Sequence, residues 1–172
     1  VVMDSGDIIS QRETAISDED TLDTLYERMS YLGRDLLIDT LPSIINKTNT
    51  RTKQNLDDVT YGLNITKEEE RINFSCSSIN IHNQIRGLSS IPGAYCLLDG
   101  KILKVYGSKL TNIVSKKTPG TIEKIDKTGI YISTNDNLIQ LIDIKIEGKK
   151  RCFVSDFING IKVDEYLGKV LE

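Results

Sequence analysis

Tryptophan is absent from this 172-residue sequence, histidine occurs once, and there are only three cysteines and three prolines. Each shortage removes a kind of chemistry. Cys76, Cys96 and Cys152 are widely spaced with no Cys-x-x-Cys pair, and His82 has no second histidine beside it, so nothing completes a zinc site. Buried, reduced thiols are expected instead. No apolar run reaches the roughly 18 residues that span a bilayer. The start of the chain also lacks the basic and then apolar pattern of a signal peptide, so a cytoplasmic setting is expected. Neither a P-loop nor a dinucleotide fingerprint occurs, which sets aside Gly-rich phosphate cradles. With no Trp, and with Tyr95, Tyr106 and Tyr131 scattered, there is no aromatic row for stacking single-stranded bases.

What is present is charge, unevenly placed. Residues 1–70 carry seven Lys or Arg against fifteen Asp or Glu, and residues 71–172 carry fifteen against ten, so a net charge of -3 hides halves of -8 and +5. A basic module in an acidic chain suits a polyanionic partner, although basic residues that merely solvate a sheet give the same count.

The pattern along the chain is mixed. "DIISQRETAI" at 7–16 alternates as a strand would. Ser17 and Asp20 then resemble a capping box for a helix whose apolar face holds Leu22, Leu25, Tyr26, Met29, Leu32, Leu36 and Leu37, with Pro42 marking its last turns. Residues 46–65 are polar and without period, as a linker or strapping loop is. Thr66 and Glu69 form a Thr-x-x-Glu box for a short helical turn. Ser77 or Ser78 caps a further helix with Ile81, Ile85 and Leu88 on one face and Gly87 near its end. After "IPGA" the spacing becomes that of short strands. Asp99-Gly100 supplies a type I′ hairpin turn, β-branched runs recur at about ten-residue intervals, and a small antiparallel barrel or sandwich is expected. "SDFING" suggests a closing helix capped by Ser155.

Phosphate binding needs cations on one surface. Candidates fall in four places: Lys67 with Arg71, Arg86, Lys101 with Lys104, and Lys149-Lys150-Arg151. Lys149 and Lys150, in a turn after Gly148, are the first choice. Arg86, just before "IPGA", is expected to bond carbonyls there. Shape and phosphate contact are expected over base reading.

The order of motifs resembles the later half of the methionyl-tRNA formyltransferase family over nearly the whole chain. It runs from an Asp-x-Gly-Asp segment in "MDSGDII" through "TLYERM", "ITKEEERI" and "HNQIRGLSSIPGAY", then an Asp-Gly hairpin, "PGTI", and "EGKK" before "DFINGIKV". The resemblance implies an α+β chain. Residues 1–45 would be the tail of a Rossmann-like α/β formyltransferase domain, 46–70 an interdomain linker, and 71–172 an antiparallel OB-like β-barrel that holds initiator tRNA. It implies 10-formyltetrahydrofolate as co-substrate, no metal, a monomer, and transfer of the formyl group to the amine of methionyl-tRNA. By motif match the catalytic carboxylate is Asp4, with Gly6 easing the sharp backbone course after it.

The family's catalytic Asn and His lie upstream of that aspartate. A chain that opens at Val1 is therefore expected to be a piece of a longer enzyme that binds tRNA without catalysing. Asn80 and His82 do not replace that pair. They follow the aspartate, and their helical neighbours turn Ile81 and Ile85 inward, so a structural or RNA-facing role is expected. Two other readings stay open. One is a related folate-dependent formyltransferase acting on an amino sugar nucleotide or on water, and the other is a free-standing tRNA-binding module.

Overall fold

The computed structural model describes residues 4–172; Val1 to Met3, which open the chain, lie outside the described residues. The chain divides into two compact units, Val1–Asn64 and Ile65–Glu172.

The first unit is built on helix α1 (Leu22–Ile45), capped by Thr21. The expected cap at Ser17 and Asp20 is displaced, because Thr21 and Thr24 exchange side chain to backbone hydrogen bonds of 2.9 and 3.3 Å and form the box without an acid. Asp20 has another task. Its carboxylate, 6% exposed, accepts from the Ser17 amide at 2.7 Å and from both ends of the Arg28 guanidinium at 2.9 and 2.6 Å. Those bonds from Arg28 hold the Asp20 carboxyl well below the usual carboxylate range. Pro42 sits inside the final turns, where few amide donors are lost. The alternation at 7–16 does not become a strand. Among the described residues only Ile8 pairs there, antiparallel to Thr52 with two 2.8 Å backbone bonds, since the unit offers no longer partner edge. A single 3-10 turn, Leu56–Asp58, follows.

In the second unit, helix α2 (Lys67–Glu70) has the expected Thr66–Glu69 capping box. Helix α3 (Ser78–Leu88) is capped by Ser77 and runs one residue past Gly87. Six strands make one antiparallel sheet: β1 (Ala94–Leu98), β2 (Lys101–Val114), β3 (Ile122–Asp126), β4 (Gly129–Ile132), β5 (Asn137–Ile146) and β6 (Cys152–Phe153). Their order is β1-β2-β5-β4-β3, with β6 on β5. The β1–β2 hairpin turns at Asp99 and Gly100, with φ of 50° and 75°, as a type I′ turn requires. Helix α4 (Val154–Phe157) starts one residue before the expected Ser155 cap and has no side-chain cap.

The two outer strands are bridged. Leu97 on β1 exchanges bonds of 2.7 and 3.0 Å with Glu172, while Ile122 on β3 accepts from Gly168 at 2.9 Å and donates to Lys169 at 2.8 Å. Gly120 makes this approach possible. Its φ is +88°, and a Cβ there would stand 2.5 Å from the Leu171 carbonyl oxygen. Helix α3 turns Ile81, Ile85 and Leu88 onto the core formed by Cys96, Leu103, Val105, Leu141 and Ile144. Burial pushes the Cys96 thiol up to about 12, so it is a packing residue and no nucleophile. Cys76 and Cys152 are half-buried, and all three thiols are free.

Asp136 ties the β4–β5 turn to the start of α3. One of its oxygens accepts from the amides of Ser78 and Asn137, each at 2.7 Å, and from the Thr134 hydroxyl at 2.8 Å. Desolvation opposes its charge, but these donors, led by the Ser78 amide, outweigh it and hold the carboxyl at about 2. The lowered value means that Asp136 stabilises the fold above the unfolded carboxylate pKa of about 4, and that this contribution is lost as pH falls from there to about 2. Asp136→Ala is expected to cost about 1–2 kcal/mol at neutral pH. Denaturant melts should show that gap narrowing between about pH 4 and 2; a pH-independent gap would refute the assignment.

Candidate nucleic-acid interface

Sheet register decides which cations meet. On β1, Ala94, Cys96 and Leu98 point into the core, so Tyr95 points outward. Tyr95 pairs with Lys104 on β2, and Lys104 with Lys145 on β5. Arg71, just after α2, forms a parallel bridge with Tyr95. Directly paired residues share a face. Arg71, Tyr95, Lys104 and Lys145 therefore form one row across the outer face of the sheet. Of the residues singled out from sequence, Arg71 and Lys104 are thus brought together, and Lys145 joins them unannounced.

The remaining cations differ in how far their charge is already used. Lys67 donates to both oxygens of the buried Glu70 at 2.8 and 2.7 Å. Lys104 lies 4.0 Å from the same carboxylate and donates to the Pro92 carbonyl. Arg151 grips Asp143 through Nε at 3.0 and 3.1 Å and a terminal nitrogen at 2.7 Å, and stacks 4.1 Å over the Tyr106 ring. That arrangement fastens the chain after the β5–β6 turn. Lys101 at the hairpin, and Lys149 and Lys150 after Gly148 (φ +76°), are exposed, and among the described residues none has a carboxylate within 4.0 Å. Arg86 donates to Asn83 at 2.8 Å within its own helix.

His82 is half-buried, with Nδ1 2.9 Å from the Ser108 hydroxyl on β2, which fixes α3 against the sheet. Arg71 also borders a cleft of about 400 Å³ with Glu68, Asn73, Ser75 and Glu172. Two carboxylates at that cleft disfavour an anion inside it.

Asp4 belongs to the first unit. It is exposed, and the sharp backbone course expected after it, at Gly6, has its positive φ on Asp4 itself, at 59°. Aspartate tolerates that conformation better than most residues. The side-chain amide of Gln54 donates to the carbonyls of Asp4 and Gly6 at 2.8 and 2.6 Å, so residues after α1 strap the turn in place.

Residues 64–162 match the model of the formyl transferase C-terminal domain. The chain belongs to that family. It is 37% identical to a methionyl-tRNA formyltransferase of Macrococcus caseolyticus over 93% of this chain and 51% of that protein. The chain spans about half the length of the curated relatives it matches. Among solved structures it is similar to HypX from Aquifex aeolicus, with a TM-score of 0.70 at 14% identity over 91% of this chain and 29% of that one, a likeness of fold. It is also similar to an N-formyltransferase from Helicobacter canadensis solved with folinic acid and dTDP-3-aminofucose, with a TM-score of 0.55 at 27% identity over 80% of this chain and 51% of that one.

Proposed function

We propose that the chain is the later half of a methionyl-tRNA formyltransferase, which moves a formyl group from 10-formyltetrahydrofolate to the amine of methionyl initiator tRNA in the cytoplasm. The observation that carries this is the 37% identity over 93% of the chain, which reaches beyond the shared C-terminal domain into the first unit. Residues 1–45 are then the end of the catalytic domain, 46–70 the linker and 71–172 a tRNA-binding, OB-like barrel in a monomeric enzyme. The bridging of β1 and β3 by residues 168–172 supports the barrel reading, because a sheet whose edges are joined leaves none open.

The chemistry assigns Asp4 a supporting part. A neutral amine attacks the formyl carbon, an oxyanion develops, and protons leave the amine and reach the folate nitrogen. An asparagine amide donates to the oxyanion and a histidine exchanges protons, both supplied by the upstream half. The Asp4 carboxylate orients the histidine and stabilises its charged form. Phosphate contact falls to Arg71, Lys101, Lys104, Lys149 and Lys150. Lys67 and Arg151, each within 2.7 Å of a carboxylate, mainly shape that surface, while Lys104 has only the looser 4.0 Å contact with Glu70.

The 172-residue chain alone should bind initiator tRNA without catalysing formyl transfer above a buffer control. With about four phosphate contacts, log affinity should fall with log salt with a slope of roughly -3 to -4. A slope near zero, or formyl transfer by this chain alone, would sink the reading. The second reading, an amino sugar nucleotide as acceptor, is kept for comparison because the Helicobacter canadensis relative was solved with dTDP-3-aminofucose. Comparing methionyl-tRNA with an amino sugar nucleotide as acceptors for the complete enzyme separates the two. A tRNA-binding module without catalysis is the outcome if neither is formylated.

A further inference from the structure

We infer that the cleft beside Arg71 is a binding site for a small zwitterion, an α-amino acid with an apolar side chain. The inference goes beyond the formyltransferase reading and does not depend on it. Residues 71–75 alternate in burial, with Ile72 and Phe74 at 3% and 4% exposed and Arg71, Asn73 and Ser75 exposed. Those three polar residues line the cleft of about 400 Å³, and Glu68 of α2, Pro119, Leu171 and Glu172 complete it. That volume lies near the lower end of the roughly 300–1,000 Å³ of small-molecule sites, so the occupant is small.

The charges of the cleft decide the class of ligand. One guanidinium and two carboxylates border it, and among the described residues Arg71, Glu68 and Glu172 take part in no ion pair within 4.0 Å. Opposite charges that share a concave surface without meeting are spaced for a ligand that carries both. A lone anion is opposed by the two carboxylates, and a lone cation leaves the guanidinium unanswered. An α-amino acid answers both, because its carboxylate accepts from the Arg71 fork while its ammonium donates to Glu68 or Glu172. Asn73 accepts the Ser75 amide through Oδ1 at 3.0 Å, which leaves its NH₂ group to donate to the same ligand carboxylate. The apolar part of the wall, from Ile72, Phe74, Pro119 and Leu171, takes the side chain. These walls are fastened before any ligand arrives. The Ile72 amide donates to the Tyr95 carbonyl at 2.7 Å, Leu171 to Gly120 at 2.8 Å and Glu172 to Leu97 at 3.0 Å, and Glu68 stands in the capped turn of α2. A site held in this way loses little freedom on binding.

L-Methionine, a flexible apolar amino acid, is the probe, beside N-acetyl-L-methionine, which lacks the ammonium, and L-methioninamide, which lacks the carboxylate. Titration of L-methionine into the isotope-labelled chain, followed by amide NMR shifts, should move Asn73, Ser75, Leu171 and Glu172 with a Kd of roughly 0.1–10 mM. Each analogue should bind about ten- to a hundred-fold more weakly, as expected for the loss of a charged contact. Arg71→Gln and Glu68→Gln/Glu172→Gln should each weaken L-methionine by a similar factor, and Lys162→Ala, whose partner is Glu165, should leave it unchanged. The replaced side chains are exposed, and far-UV circular dichroism checks that the variants are folded. No shift at about 20 mM L-methionine, equal binding of L-methionine and either analogue, or shifts confined to residues outside the cleft would overturn the site. Formyl transfer by the complete enzyme is a separate measurement, so failure of the site leaves the formyltransferase reading standing.

Discussion

Asp4→Asn in the complete enzyme should lower kcat for formyl transfer by about 10²- to 10⁴-fold, the range for removing a group that supports a general acid or base. Asparagine is the informative replacement. It keeps the shape of the side chain and, like aspartate, tolerates the φ of 59° that Asp4 adopts, so the turn survives and only the charge is lost. Alanine would add a backbone cost of about 1–2 kcal/mol in the left-handed region and blur the result. The loss should fall on kcat rather than on the KM for methionyl-tRNA, because the role proposed for the carboxylate is to support a histidine and not to bind the RNA. Gln54→Ala should produce a smaller loss of the same kind, since it frees the two carbonyls that hold the Asp4 turn. Steady-state kinetics with saturating folate decides the matter, and an unchanged kcat for Asp4→Asn would remove Asp4 from the mechanism.

Local signals read well wherever the chain satisfies itself locally. The Thr66–Glu69 box, the Asp99-Gly100 turn and the Ile81, Ile85, Leu88 face of α3 are short-range patterns, and each appears where the sequence places it. The first unit shows the limit of periodicity. Helix α1 has the length and apolar stripe expected of it, yet among the described residues none of it is buried, with Tyr26 71% and Leu37 60% exposed. Spacing reports that a face exists; it does not report what covers it. The misplaced cap has a similar cause. Asp20 does pair with Ser17, but its carboxylate also holds Arg28, two turns on, and a threonine pair one residue later does the capping.

For the cations, sequence showed how many there were and roughly where, and could not show their pairing. Lys67 has its carboxylate three residues on in the same helical turn, a local pair that spacing allows, whereas Arg151 meets Asp143, eight residues back, only where β6 pairs with β5. Lys145 stands apart from other cations along the chain, whereas it meets Lys104 across strands that are far apart in sequence. The β2–β5 register also shifts between Val105 and Gly107, and again between Gly107 and Ser108, so simple alternation does not predict it. One signal was available: Lys145 is an exposed cation after buried Ile144 in a strand pattern, which marks an outward position on a covered sheet.

Ile85→Ala is expected to be the most damaging substitution for stability, and it separates folding from recognition. Ile85 is 0% exposed on the face of α3 that packs against β2 and the core, beside Ile81 at 1%. Removing a buried isoleucine side chain to alanine costs about 2–5 kcal/mol, because the transfer energy is lost and the surrounding sheet collapses only partly into the space. A domain of this kind is stable by about 5–15 kcal/mol, so a large share of that margin disappears. The midpoint of urea unfolding should fall sharply with the slope against urea unchanged, as for a loss of stability without a change in the surface exposed. Binding should weaken only in proportion to the fraction unfolded, and the salt slope of the folded fraction should match the unaltered chain, since no cation has been removed. A variant that melts normally would show that α3 is not fixed to the sheet through Ile85. One that folds but loses its salt slope would show that the helix face, and not the row of cations, sets the contact with RNA.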